Sequence, residues 1–187
     1  LLSGDLEIRG RGEASWRGYS KKPYKIQLKE KQSFPGWHSN KDYVLLANYT
    51  DKSLLRNAIS FKISEGVEMT YTPQWMFVDL ILNGRQLGTY LLCENVKKGK
   101  FRIPIKDSGF IIELNTHLDQ DCSERTEYVN VISTWCGRHI TFKYPKDGTL
   151  TSLQMADVSH WLDEFEHNLY ERNFSLNRKW LKMIDIE

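Results

Sequence analysis

The 187 residues are enough for one domain with a real core, and 40% apolar with 27% charged residues is the make-up of an ordinary globular protein, not of a collagen, a disordered chain or a helical repeat. The longest apolar runs, MFVDLIL and TYLLC, fall far short of the roughly 18 residues a membrane-crossing helix needs, so no membrane span is expected. Net charge is only +2, yet between Arg9 and Lys31 eight Lys and Arg stand against two Glu, a string that suits an anionic partner and equally suits a solvated strand edge guarded by lysines.

Three cysteines, Cys93, Cys122 and Cys136, form no C-x-x-C pair, and an odd count leaves one thiol over. The chain begins at Leu1 without an initiator Met or a signal-like apolar stretch, so it reads as a fragment whose true N-terminus lies elsewhere.

In chain order, residues 6–9 and 23–29 are expected as strands around an opening loop, because Tyr24, Ile26 and Leu28 alternate with Lys25, Gln27 and Lys29. Lys25 then points away from Tyr24 and Ile26. The loop SFPGWHSN follows, and DYVLLANY is either a strand or a buried turn. Asp51 or Ser53 can cap the next helix, on which Leu55, Ala58, Ile59 and Ile63 fall at helical spacing, with Gly66 where a helix would stop. WMFVDLILNGRQLGTYLLCENV places two β-rich runs around Asn83-Gly84, the dipeptide of a two-residue type I′ hairpin. Beyond the linker KKGK, GFIIELN, YVNVISTW and HITFKYP read as further strands, ending at Pro145. Thr151 to Gln154 form a capping box, and Met155, Val158, Trp161, Leu162, Phe165 and Leu169 make the core stripe of a last helix. No repeat or Pro/Gly/Ser linker divides the chain, so the expectation is a single α+β domain over residues 1–187, mainly antiparallel sheet with helices.

Few of the chemistries these residues could support survive inspection. His160, Asp163, Glu164 and His167 share one face of the last helix and could in principle ligate zinc. The apolar stripe opposite makes them its wet face, and no H-E-x-x-H is present. In HLDQD, His117 and Asp119 imitate the H-x-D of a kinase catalytic loop, but the position that needs Asn for magnesium holds Glu124. There is no G-x-S-x-G elbow, and Cys93 lies inside a hairpin strand where burial would keep its thiol protonated. The opening IRGRGEASW has Gly10 and Gly12 as G-x-G, with Ser15 in place of a third glycine, so alone it is a weak phosphate fingerprint.

The string IRGRGEASWRGYSKKPYKIQL, together with VLLANYTDKSLLRNAIS, YTPQWMFVDLILNGRQLGTYLLCE and GFIIELN, resembles the CotH kinase family, named after spore coat protein H, over nearly the whole chain. The resemblance implies the N-terminal part of an atypical protein-kinase-like fold. It also implies ATP and Mg²⁺ or Mn²⁺ as cofactors, Ser/Thr of coat or surface proteins as acceptors, and a spore-coat, cell-surface or secreted setting. Arg11, Ser15 and Lys25 are its candidates for the nucleotide phosphates, with Arg11 equally open to a structural salt bridge. Arg56 would bridge to Glu113 or Glu94 in the manner of the ion pair that aligns a kinase site. In the family the catalytic and magnesium-binding Asp residues follow the region of WLKMIDIE, so the resemblance implies a domain cut before its catalytic motifs and inactive alone. Two rivals remain: a non-catalytic adhesion or coat module using the basic strand edge, and a nucleic-acid-binding domain, which lacks an RNP-type motif.

Overall fold

The structure, a computed structural model, describes residues 4–115, 139–145 and 150–170. The strand expected at YVNVISTW, the HLDQD stretch, Cys122, Cys136 and WLKMIDIE lie outside them. The chain divides into two compact units, Leu1–Ile103 and Pro104–Glu187, although no linker composition marks the division. The fold is α+β with mainly antiparallel pairing, as expected. None of the described helices is long and apolar enough to cross a membrane.

The first unit runs β1 (Leu6–Gly10), α1 (Glu13–Gly18), β2 (Tyr24–Gln32), β3 (Asn40–Leu46), α2 (Arg56–Gly66), β4 (Trp75–Leu82) and β5 (Arg85–Glu94). Its strands form one antiparallel sheet in the order β1-β2-β3-β5-β4. Strand alternation sorts the side chains onto two faces. Tyr43, Leu45, Tyr90 and Leu92 make the core of one face, with Tyr24, Ile26, Leu28, Met76 and Val78 packed against them. The loop SFPGWHSN closes over this core, Phe34 and Trp37 each lying within 5.9 Å of the Tyr43 ring. On the other face Arg9, Lys25, Val44, Cys93 and Trp75 stand in register across all five strands. The row therefore passes from cationic at β1 and β2, through buried apolar positions, to an aromatic end beside α2.

DYVLLANY is a strand, not a turn: β3 and β5 pair through Tyr43 with Glu94 to Leu46 with Leu91, and seven of these eight residues are buried. The hairpin forms as its dipeptide demands, with Asn83 at φ 50° and Gly84 at φ 74° between β4 and β5.

Two elements depart from the sequence reading. The opening segment is not a bare loop, because Glu13–Gly18 forms a helical turn and a half. Six residues give helical periodicity too little length to show. Tertiary contacts hold α1: Trp16 meets the Tyr24 ring edge-on at 5.9 Å, and Arg11 N donates to Pro23 O at 3.2 Å. The second departure concerns the burial of α2, whose start is set as expected by Asp51, which accepts from Arg56 N at 2.8 Å and from Ser53. Only Ala58 of its apolar positions is buried, while Leu55, Ile59 and Ile63 are exposed. Gly66 ends the helix without the left-handed conformation of a glycine cap; Glu68 carries the positive φ instead.

In the second unit, β6 (Ile111–Asn115) pairs antiparallel with β7 (His139–Tyr144), and α3 (Ser152–Tyr170) supplies the helix. Ile140, Phe142, Val158 and Leu162 form its core with Phe110, Ile112 and Leu150 around them. The capping box is present in both directions: Gln154 N donates to Thr151 Oγ1 at 3.2 Å, and Thr151 N donates to Gln154 Oε1 at 2.9 Å.

Candidate functional site

The basic N-terminal string folds back on itself, so cations far apart in sequence meet on one flank of the sheet. Register sets Arg9 beside Lys25, and Asp42 of β3 lies on the same face one pleat further along, opposite Gln27. The Asp42 carboxylate is almost fully enclosed, at 7% exposure. Lys97, from the chain just after β5, donates to Asp42 Oδ2 at 3.0 Å. Lys25 Nζ stands 4.0 Å from Oδ1, beyond hydrogen-bond reach. Arg9, Arg11 and Lys97 all repel the Lys25 ammonium. Burial chiefly lowers the Lys25 pKa, Asp42 opposes that, and the three cations add to it.

Arg11 also lines a cleft of about 230 Å³ at the end of the sheet, with Gly12, Ser15, Tyr19, Lys21 and the Leu46–Thr50 turn. Gly12 has φ 70°, and a Cβ there would lie 2.5 Å from Ser15 Oγ, so the serine hydroxyl sits directly over the glycine. Tyr19 stacks on Tyr49 at 5.1 Å, which forms an aromatic rim. Lys21 spans toward β5, its ammonium bonded to Thr89 O and 4.4 Å above the Tyr90 ring; burial lowers its pKa.

A second, buried polar group lies where the chain leaves β5. Glu94 and Arg102 are 2% and 4% exposed, with Arg102 Nε 3.8 Å from Glu94 Oε1. Tyr71 Oη and Gln74 N each donate to Glu94 Oε2 at 3.2 Å. The Arg102 guanidinium also donates to the Asn95 carbonyl and, at 2.7 Å, to the Asp42 carbonyl. KKGK is thus no passive linker: Arg102 pins it to β3, and the pinned segment delivers Lys97 to Asp42.

Of the residues singled out in the sequence, Arg11 and Ser15 share the cleft, and Arg11 is close enough to Lys25 to act on its charge. Within its own unit, Arg56 does not meet Glu94. It is 84% exposed and reaches Asp51 at 3.9 Å, while Glu94 is taken by Arg102 and Glu113 by Lys143 at 2.6 Å in the other unit. That correction has a plain cause, since α2 turns Arg56 to solvent and the partner of Glu94 comes from a segment read as linker. Sequence reading missed Asp42 and Lys97 and did not single out Lys21, although Lys21 lies in the basic string between Arg9 and Lys31 and Lys97 in the charge run of KKGK.

For the groups a kinase would need, the flank suits phosphate oxygens: among the described residues Arg9, Arg11, Lys25 and Lys97 gather there around Asp42, with Glu7 at the exposed end of the same cross-strand row. Among the described residues no three His, Cys, Asp or Glu side chains gather as a metal-holding group, the α3 face included, and Asp42 and Glu94 are engaged by cations. No described residue is therefore assigned to a metal.

The fold and this flank define an α+β protein whose antiparallel sheet gathers its positive charge around a buried acid. Residues 6–187 match the family model described as CotH kinase protein, and the chain belongs to the CotH kinase family. No curated protein matches the sequence. Membership supports a kinase-like or coat-associated role.

Proposed function

We propose that this chain supplies the phosphate grip of an ATP-dependent protein kinase that phosphorylates Ser or Thr on coat or surface proteins. The observation that carries the reading is the convergence of Arg9, Arg11, Lys25 and Lys97 on one flank of the sheet, in a chain of a kinase family. Bound ATP supplies the phosphoryl group. Lys25 and Arg11 neutralise charge on its phosphates, which is what stabilises a loose phosphoryl-transfer transition state. The Ser15 hydroxyl donates a hydrogen bond, and the cleft beside it admits a phosphate group but is too small for a whole nucleotide.

Isothermal calorimetry with ATP is the test. Arg11→Ala and Lys25→Met should each weaken binding about tenfold, the worth of one charge-assisted contact, and raised salt should weaken the wild type further. Wild-type affinity in both variants would remove the flank from the site. Incorporation of labelled phosphate into a generic Ser/Thr protein, with Mg²⁺ or Mn²⁺, reads the reaction itself.

A coat-assembly role draws on a different observation, the exposed apolar face of α2 at Leu55, Ile59 and Ile63. Charged substitutions there would disturb assembly and leave ATP binding unchanged.

A further inference from the structure

We propose that Asp42 is a built-in counter-ion for the cationic flank, holding in the free protein the charge balance that a bound polyphosphate takes over. The inference rests on the reading of the flank as a phosphate grip, and it names the ligand class: chains of three or more phosphates in preference to a single one.

The two lysines on Asp42 are not equivalent. Lys97 makes a hydrogen-bonded pair at 3.0 Å, while Lys25 stands 4.0 Å from the other oxygen and is held by charge alone. Lys97 is the anchor and Lys25 the arm that can turn to a new anion while the carboxylate stays paired. The enclosed carboxylate lies among cations that repel one another and offsets part of that repulsion. Among the described residues Asp42, with Glu7 at the exposed end of the same cross-strand row, leaves part of the charge of Arg9, Arg11, Lys25 and Lys97 unmatched. A chain of three phosphates reaches several of these cations at once; a monophosphate reaches fewer.

The scaffold does not depend on the carboxylate. The Asp42 carbonyl accepts from Arg102 at 2.7 Å and from Asn95 N at 3.3 Å, and these bonds survive any change of side chain. Asp42→Asn therefore removes a charge at constant shape and leaves β3 held in place.

The probes are inorganic tripolyphosphate and orthophosphate, titrated at low salt into the wild type and Asp42→Asn. The variant should bind tripolyphosphate about tenfold more tightly, with a smaller gain for orthophosphate. Its melting temperature should fall below that of the wild type in the free state, and saturating tripolyphosphate should close the gap. Equal or weaker tripolyphosphate binding by folded Asp42→Asn overturns the proposal.

If Asp42→Asn fails to fold, Lys97→Met takes its place, compared with Lys100→Met, which makes the same charge change on the same segment at an ammonium that lies over the Phe101 ring. Freed of Lys97, Asp42 captures Lys25, so Lys97→Met should lose clearly more tripolyphosphate affinity than Lys100→Met; equal losses overturn the proposal. Titrating ATP separates this inference from the kinase reading. Tripolyphosphate binding that responds as described, without ATP binding, retains the counter-ion and rejects the kinase. ATP binding that is no tighter in folded Asp42→Asn than in the wild type rejects the counter-ion alone. Absence of binding by either ligand rejects both.

Discussion

Cys93 shows how far a single position can be read from its surroundings. Its thiol sits near the C-terminal end of β5 at 3% exposure, and burial pushes its pKa from 9.0 up to about 12. The folded thiol therefore stays protonated where the unfolded one ionises. The stability this contributes is complete below pH 9 and is lost as pH rises from 9 toward 12. Urea denaturation of the wild type and Cys93→Ala at about pH 8 and about pH 10.5 checks the sign, because the loss of packing in the variant is the same at both pH values. The advantage of the wild type should shrink at the higher pH; an unchanged advantage would mean that the thiol is not protected. A buried, protonated thiol is also a poor nucleophile, in agreement with the sequence reading, which needed only the strand assignment to reach it.

At the scale of elements, what could be read ahead was what is decided locally. Asn83-Gly84 specifies its hairpin through backbone preference alone, and nothing lies within 4 Å of a Cβ built on Gly84. Gly84→Val should accordingly cost about 1–2 kcal/mol, all of it conformational. Asn83→Gly, which keeps the positive φ accessible, should change stability by less. Denaturant titration of the two variants distinguishes a conformational cost from a packing one. Thr151 and Gln154 were legible for the same reason, three residues apart and bonded to each other. Helix α1 was not, because its hold on the fold is Trp16 against Tyr24, a contact that periodicity cannot reveal. The candidate site divides in the same way. The basic string named the flank, and Lys25 was assigned to the face away from Tyr24 by alternation. Asp42 became part of the site only through β2–β3 register, and Lys97 only through the Arg102 clamp, pairings that join residues 55 and 60 positions apart.

For the molecule as a whole, the family match runs from residue 6 to residue 187 and so through both compact units. Within the first unit the strand order carries a consequence in time. β1, β2 and β3 follow one another in sequence and in space, and so do β4 and β5. The β3–β5 seam is the one pairing of the sheet whose partners are separated by a helix and another strand. It is also where burial is deepest, with Tyr43, Val44, Leu45, Leu91, Leu92 and Cys93 all 4% exposed or less. Closing that long loop costs entropy before any of the buried area is gained. The two local ribbons can therefore form early and fall apart again, and the sheet is committed only when they dock. Stopped-flow refolding should show this as a division of effects: Val44→Ala and Leu91→Ala should slow folding most, while Ile8→Val on the outer strand β1 should act mainly by speeding unfolding. Equal slowing by all three would move the nucleus elsewhere. Until docking, Lys97 at the end of one ribbon has not met Lys25 and Asp42 on the other, so the cationic flank is completed in the same step as the sheet.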